Sequence, residues 1–356
     1  MSSMTITVPV RQAVFAGVDT HKATHHVAVV DEAGSVLADR QFTATSAGYD
    51  AVASWLGQWQ VARVGIEQTG TYGAGLARRL GAAGHEVIDV NAPDLVVRAS
   101  QGKSDPIDAV MAAQAVRTAR ATTAAKDRTG IIEAIRMLHI ARASAVKARS
   151  AALAQLGDLA VIAPQDVRER VQGTSRQIAR RALRLRPDRS RMADPAQASK
   201  AALRSVAERV RDLDAEIRSV DTALTGLVAR AAPRLLALPQ VGTHAAAQLL
   251  ITAGQNPDRI RTEAAFARLT GVAPIPASSG KTNRMRLHRG GDRQANKTIH
   301  MIAVGRLKHH QPAIDYLTRR THEGLSKKDT IRAMKRLITR ELFGALKTDL
   351  TTLDAL

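Results

Sequence analysis

The sequence predicts an α/β domain with a mixed sheet over residues 12–125, coiled-coil helices over 126–230, and a mainly helical domain over 231–346. Three observations support this division. Short β-rich runs alternate with Ala- and Leu-rich helical segments up to about residue 120, an apolar heptad repeat follows, and a Pro-x-x-Gly turn then precedes further helices. A chain of 356 residues is long enough for two or three such domains.

The N-terminal part begins with a predicted β-hairpin. The apolar run Val14–Val18 ends at Asp19, and the next two β-rich runs flank the turn Asp31–Gly34. A helix, a strand that ends at Glu67, a second helix stopped by Gly84 and a last strand follow. The predicted strands cover 14–18, 27–30, 36–38, 61–66 and 87–90. A hairpin followed by alternating helices and strands is typical of a mixed sheet.

The middle part is helical and rich in Ala and Arg, and a heptad seam predicts a coiled coil within it. The partner of the seam is the earlier helix Ile131–Leu156 of the same chain, the same helix of a second subunit, or both together. Pro164 and the stretch Pro187–Pro195 predict breaks between helices. The seam residues are Leu203, Val206, Val210, Leu213, Ile217, Val220, Leu224 and Leu227.

The C-terminal part begins with the turn Pro239–Gly242, which is followed by a predicted helix over His244–Ala253. Such a turn can offer backbone N–H groups to phosphates, but it can also simply join two helices. A Gly-rich basic segment, Ser278–Asn296, and further basic helices follow.

Charge is the dominant feature of the composition. Lys and Arg number 52 against 32 Asp and Glu, for a formal net charge of +20, which suits binding of a phosphate backbone. Aromatic residues make up only 3%, too few for a base-stacking platform, so duplex DNA or a folded RNA is the expected partner. The chain has no cysteine, which excludes disulfides and thiolate chemistry, and no long apolar run. We expect a cytoplasmic, nucleoid-associated protein with no membrane contact.

Four carboxylates form a candidate metal site: Asp19, Glu67, Asp105 and Asp108. Asp19 and Glu67 close predicted strands of one sheet, and Asp105 and Asp108 share a face at a helix start. An all-oxygen cluster of this kind suits up to two Mg²⁺ ions in phosphoryl transfer. Each residue also has a structural explanation: Asp19 can begin a turn, and Asp105 can be the N-cap of a helix that has Pro106 at its first position.

Three segments carry a resemblance to a known family. Gly17-Val18-Asp19-Thr20-His21-Lys22, Gly65-Ile66-Glu67-Gln68-Thr69-Gly70-Thr71-Tyr72 and Lys103-Ser104-Asp105-Pro106-Ile107-Asp108 resemble the DEDD motifs of the IS110 insertion-sequence transposases. The resemblance implies a RuvC-like (RNase H-like) N-terminal domain, a coiled coil and a C-terminal transposase domain. Within these motifs, Lys22, Thr69, Tyr72 and Lys103 are expected to contact nucleic acid.

The same resemblance implies a catalytic serine in the C-terminal domain. Its place after a Gly-x-x-Pro turn and before a glycine matches Ser279, with Ser278 as a close rival. Cations around a serine would draw in a phosphodiester and stabilise its transition state. Lys281 and His288 are candidate general bases. The cations expected to bind nucleic acid here are Lys281, Arg284, Arg286 and Arg289.

The resulting prediction is a transposase that cuts and rejoins DNA through a phosphoserine intermediate. The resemblance implies guidance by a structured RNA from the element itself, donor and target DNA duplexes, and a homodimer or tetramer. Two alternatives remain open: a Mg²⁺-dependent nuclease or junction resolvase that uses water, and a non-catalytic nucleic-acid-binding protein.

Several weaker signals receive other interpretations. His21, His25 and His26 alternate faces of a hairpin and lack an evident ligand partner, so we expect them to be solvated or to face phosphates. The basic clusters Arg180–Arg191 and Lys327–Arg340 are either solvated faces or nucleic-acid contacts.

Overall fold

The computed structural model describes residues 13–90, 104–280 and 285–354. By its internal contacts the chain divides into two compact units. The first comprises residues up to 130 together with 253–262, and the second comprises 131–252 and 263–356. No helix within the described ranges is both long and apolar enough to cross a bilayer.

The first unit contains a five-stranded mixed sheet. Its strands are β1 (Ala13–Thr20), β2 (Thr24–Val30), β3 (Val36–Thr43), β4 (Gln60–Glu67) and β5 (Val87–Val90), in the spatial order β3-β2-β1-β4-β5. The hairpin strands β1, β2 and β3 pair antiparallel, whereas β4 pairs parallel with both β1 and β5. The predicted mixed sheet is confirmed, and each strand includes its predicted residues.

Helices cover both faces of this sheet. On one face α1 (Ser46–Leu56) and α2 (Ala74–Ala82) pack on the even-numbered residues of β1, such as Val18, which is fully buried. On the other face α3 (Asp105–Arg117) contributes Ala112 and Val116 to a smaller core. Because side chains alternate along a strand, the odd-numbered residues of β1 face α3.

The second unit is helical apart from one short hairpin. Its first helices are α4 (Gly130–Ile162), α5 (Gln165–Arg170), α6 (Ser175–Ala182) and α7 (Pro195–Ala231), followed by α8 (Pro233–Leu236), α9 (Thr243–Ala253) and α10 (Glu263–Leu269). The hairpin strands β6 (Pro274–Pro276) and β7 (Met285–Leu287) come next. The last helices are α11 (Arg293–His309), α12 (Gln311–His322) and α13 (Lys327–Asp354).

The two long helices α4 and α7 run antiparallel within one chain. Arg142 of α4 pairs with Asp221 of α7, and one heptad further along α4, Arg149 lies 2.8 Å from Asp214, one heptad earlier in α7. At their far end α5 and α6 complete a core with them, built around Leu156 and Leu203. The helix Ile131–Leu156, one of the two partners left open by the heptad pattern, therefore does lie against α7.

Candidate active site

Strand register brings Asp19 and Glu67 to one edge of the sheet. Val18 of β1 pairs with Ile66 of the parallel strand β4, so the next residue on each strand is an acid at the same height and on the same face. The Thr20 hydroxyl donates a hydrogen bond to the Glu67 carbonyl oxygen at 3.1 Å, which ties the two strand ends together. The two acids lie on neighbouring strands as predicted, with Glu67 the last residue of β4, while β1 continues one residue past Asp19 to Thr20.

A row of small residues allows α3 to lie directly on this face. Gly17 pairs with Gly65 on one side and with Ala28 on the other. A Cβ atom on Gly17 would lie 2.1 Å from the backbone nitrogen of Ala113, and one on Gly65 would lie 2.7 Å from a backbone oxygen of the same helix. The close approach of α3 therefore depends on the two glycines that stand two residues before the two acids.

The first turn of α3 carries the other two acids. Ser104 is the N-cap, with an extended backbone, and Asp105 is the first helical residue. The alternative interpretation of Asp105 as the N-cap is therefore wrong by one position. Since the side chain of an N-cap bonds to the helix backbone, this shift leaves the Asp105 carboxylate available to other groups.

Asp19, His21 and Asp105 form the centre of the site. Their candidate ligand atoms all lie within 4.8 Å of one another. The His21 Nε2 atom lies 3.1 Å from an Asp19 carboxylate oxygen and 3.3 Å from one of Asp105. Asp19 is buried, whereas the side chains of His21 and Asp105 are about half exposed, so the cluster opens to solvent on one side.

Burial raises the pKa of the Asp19 carboxyl above its ordinary value. His21 lowers this pKa, while the neighbouring carboxylates of Asp108 and Asp105 raise it further. Asp108 is itself only 2% exposed. Carboxylates held this close together repel one another, and the contact of His21 with Asp19 and Asp105 opposes that repulsion at Asp19.

This donor set fits a hard divalent cation. Carboxylate oxygens are the preferred protein ligands of Mg²⁺, and one imidazole in the set extends the fit to Mn²⁺. Asp19 and Asp105 would hold the ion through their carboxylate oxygens, and His21 would offer a ring nitrogen to the same ion. Asp108 lies on α3 together with Asp105, and Glu67 lies at the end of β4, the strand beside the one that carries Asp19.

His21 is the residue that sequence reasoning missed. The expectation that the hairpin histidines lack a ligand partner is wrong for His21, because the turn between β1 and β2 brings its ring between two carboxylates. His26 lies 2.6 Å from Asp39 on β3, so it is also paired. His25 faces the opposite side, where it is fully buried and stacks on Tyr49. The proximity of His21 to Asp19 in sequence was the available signal.

The residues expected to contact nucleic acid in this unit differ in exposure. Lys22 and Tyr72 are exposed. Thr69 is buried, and its hydroxyl donates to a carboxylate oxygen of Asp89 at 2.6 Å, so it supports the loop after β4. Lys103 lies outside the described residues.

In the second unit, Ser278 and Ser279 lie in the loop that connects β6 to β7, and both are exposed. This loop leaves the sheet after Pro276, which pairs with Met285. Lys281 and Arg284 fall outside the described residues.

A basic cavity of about 760 Å³ adjoins the start of this loop. Its lining includes Ala277, Arg286, His288 and Arg289, and also Arg332 from α13, which the sequence did not single out for this site. The His288 Nδ1 atom lies 3.1 Å from the carbonyl oxygen of Arg268 and must donate to it, since that oxygen only accepts. The Nε2 atom of neutral His288 is then left as the acceptor.

A buried lysine supports the turn before the serine loop. Lys335 of α13 is 7% exposed and donates to the side-chain oxygen of Asn296 at 2.7 Å. The Asn296 amide in turn donates to the carbonyl oxygens of Thr270 and Gly271. Burial lowers the pKa of Lys335. This network ties α11 and α13 to the segment that leads into β6.

Comparison with known proteins gives two matches. A family model for the IS110 DEDD transposase domain, described as "Transposase", matches residues 16–161. A second model, described as "Transposase IS116/IS110/IS902 family", matches residues 232–318. The first matched segment contains all four acids, and the second contains the serine loop. No curated protein matches the chain significantly.

The two matches identify the chain as a transposase, an enzyme class that cleaves and rejoins DNA. The chain belongs to the IS110 family of insertion-sequence transposases. The predicted family is thereby confirmed.

Proposed function

We propose that this transposase cuts and rejoins DNA through a covalent phosphoserine link formed by Ser279, with Asp19, Glu67, Asp105 and Asp108 as the ligands of Mg²⁺. The observation that carries the proposal is the meeting of Asp19 and Asp105 at the edge of the sheet, with Asp108 close enough to raise the Asp19 pKa. Such a cluster in a chain of net charge +20 suits a phosphodiester substrate.

The residues of the second unit bind and attack the phosphodiester. Arg286 and Arg289 attract it, and the Ser279 Oγ atom attacks phosphorus, forming a P–O bond while the bond to the 3′ oxygen breaks. His288 Nε2 is a candidate acceptor for the serine proton, as the Nδ1 bond to Arg268 orients its ring. The released 3′-OH later attacks a phosphoserine link on a partner strand, which restores the serine. A bound divalent ion supplies Lewis-acid stabilisation of the phosphate oxygens.

The remaining features of the proposal concern architecture and partners. The first unit is proposed to be RuvC-like, with boundaries 12–125, and the antiparallel helices α4 and α7 to form the coiled coil of 126–230, followed by a transposase domain over 231–346. Exchange of strands between donor and target duplexes needs more than one active centre, which favours a dimer or tetramer. A structured RNA from the element is the proposed guide, and the +20 charge supports its binding by phosphates and shape. The proposed place of action is the cytoplasm, at the nucleoid.

The test is a search for a covalent protein–DNA adduct. The full chain is co-expressed with its flanking element DNA, so that any guide RNA is supplied, and tryptic peptides are mapped by mass spectrometry for a nucleotide remnant. We expect the remnant on Ser279, dependent on Mg²⁺, lost in Ser279→Ala and retained in Ser278→Ala. Since both serines are exposed in the same loop, Ser278→Ala is a matched control.

Other outcomes identify the alternatives. Metal-dependent cleavage that persists in Ser279→Ala without any adduct would mean that water is the nucleophile, as in a resolvase. Binding without cleavage, unchanged in Asp19→Asn, would mean that the chain is a non-catalytic nucleic-acid-binding protein.

A further inference from the structure

A second basic concavity lies among the helices of the second unit, between α4, α6 and α7. This groove has a volume of about 430 Å³. Its aliphatic floor includes Leu153, Leu183 and Val210, while arginines from all three helices surround it. We call it the arginine groove, and its lining arginines are Arg149, Arg176, Arg180, Arg211 and Arg218.

The charge of the groove is largely uncompensated. Arg149 pairs with Asp214 at 2.8 Å, and Arg211 pairs with Asp212. Within the described residues, the other three arginines of the groove have no ion pair. Arg176 and Arg180 lie on α6, and Arg218 lies on α7. Folding therefore holds like charges around one concave surface, which is unfavourable in the free protein and favourable around a polyanion.

The spacing of the lining residues shows that whole helix faces contribute. Arg176 and Arg180 are one turn apart on α6, so their side chains project from the same side of the helix. Positions 207, 210, 211, 214 and 218 of α7 follow the same helical spacing. The groove is thus a continuous surface, built from secondary structure and closed below by packed aliphatic side chains.

We propose that the arginine groove binds the sugar–phosphate backbone of a nucleic acid. Guanidinium groups match phosphate oxygens in bidentate geometry, and an aliphatic floor can contact sugar carbons. Its described lining residues include no aromatic ring, so backbone binding is favoured over base stacking. This proposal rests on the proposed function only in taking nucleic acid as the ligand, and it requires neither Ser279 nor the acidic cluster.

The test compares two triple variants of the full chain that remove the same charge. The groove variant is Arg176→Gln, Arg180→Gln and Arg218→Gln. The control variant replaces exposed arginines of the same helical region that do not line the groove: Arg168→Gln, Arg170→Gln and Arg189→Gln. Binding of a duplex DNA probe and of a folded RNA probe is measured from about 50 to 200 mM salt, a range over which phosphate contacts dominate the change in affinity.

We expect the groove variant to bind more weakly and to show a shallower fall of log K with log salt. At about 0.9 per phosphate contact, the slope should decrease in magnitude by up to about 2.7 on duplex DNA, and by up to about 2.1 on single-stranded RNA segments. The control variant should keep the wild-type slope. The probe that shows the loss identifies the ligand as DNA or RNA. Unchanged thermal melting of both variants verifies folding, since all six side chains are exposed.

Equal slope losses in both variants would overturn the proposal, because they would indicate diffuse attraction by net charge. Wild-type binding of both probes by the groove variant would also overturn it. Adduct formation at Ser279 is measured separately, so loss of the recombinase function and loss of groove binding remain distinguishable.

Discussion

Gly17→Ala is the sharpest test of how the fold builds the acidic cluster. The added Cβ would lie 2.1 Å from the Ala113 nitrogen and 2.2 Å from the Ala109 oxygen, both backbone atoms of α3. Ordinary contact distances near 3.5 Å would require α3 to retreat by more than about 1 Å. Because neither atom belongs to a flexible side chain, the helix itself must move.

The expected cost has two parts. Overpacking of this kind destabilises by about 1–3 kcal/mol. Because Asp105 and Asp108 lie on α3 while Asp19 lies on β1, the shift also separates the acids, and a displacement of about 1 Å can cost roughly 100-fold in activity. We therefore expect the urea midpoint of Gly17→Ala to fall and its DNA strand-exchange rate to fall by a larger factor than the loss of folded protein explains.

Gly81→Ala is the matched control. Gly81 lies in α2, where an added Cβ meets nothing within 4 Å. Removing a helical glycine here should be neutral or stabilising by up to about 1 kcal/mol, with wild-type activity. If Gly17→Ala unfolded at the wild-type urea concentration and exchanged strands at the wild-type rate, the dependence of the site on the small-residue row would be refuted.

Three further predictions follow. His25 is fully buried and burial lowers its pKa, so the folded state keeps the ring neutral. The free energy of unfolding of the wild type should therefore decline as the pH falls below the ordinary histidine pKa of about 6.5, by up to about 1.4 kcal/mol per pH unit more than that of His25→Phe. Urea titrations of both proteins at pH 7.5 and 5.5 measure this difference. Mg²⁺ at about 100 times its dissociation constant should raise the free energy of unfolding by about 2.7 kcal/mol in the wild type and not in Asp19→Asn; equal shifts in calorimetry would argue against the metal site. Asp349 is buried and accepts hydrogen bonds from the backbone nitrogens of Arg234 and Leu235 at 3.0 Å, so Asp349→Ala should cost about 1–3 kcal/mol in thermal melting, and an unchanged melting temperature would contradict this role.

The sheet could be predicted from the sequence because local patterns determine it. The runs at Val14–Val18 and Val61–Ile66 are rich in apolar residues that include β-branched ones, and each is followed by an acid. A hairpin turn orients the first pair of strands, while the intervening helix makes β4 parallel to β1. The shared edge of Asp19 and Glu67 followed from that topology, since the carboxyl ends of neighbouring parallel strands meet.

The rest depends on three-dimensional contacts that no local pattern encodes. The heptad seam in α7 predicts an apolar stripe but does not name its partner, and the pairing became evident only from ion pairs such as that of Arg149 with Asp214. His21 is polar and exposed in a turn, so only the path of that turn determines which carboxylates it meets. The cavity residue Arg332 lies on a helix far along the chain from the serine loop.

The repeated pattern of glycine, aliphatic residue and acid explains why fold and chemistry are inseparable at this site. In Gly17-Val18-Asp19 and Gly65-Ile66-Glu67, the middle residue points to the core beneath α1 and α2, and both middle residues are fully buried. The glycine and the acid point to the other face because the side-chain period of a strand is two. The glycine admits α3, and on β1 the acid, Asp19, then lies beside Asp105 and Asp108 in the first turn of that helix. One three-residue unit thus provides the core contact, the helix seat and the acidic group, so a change at its glycine is also a change at the acidic cluster.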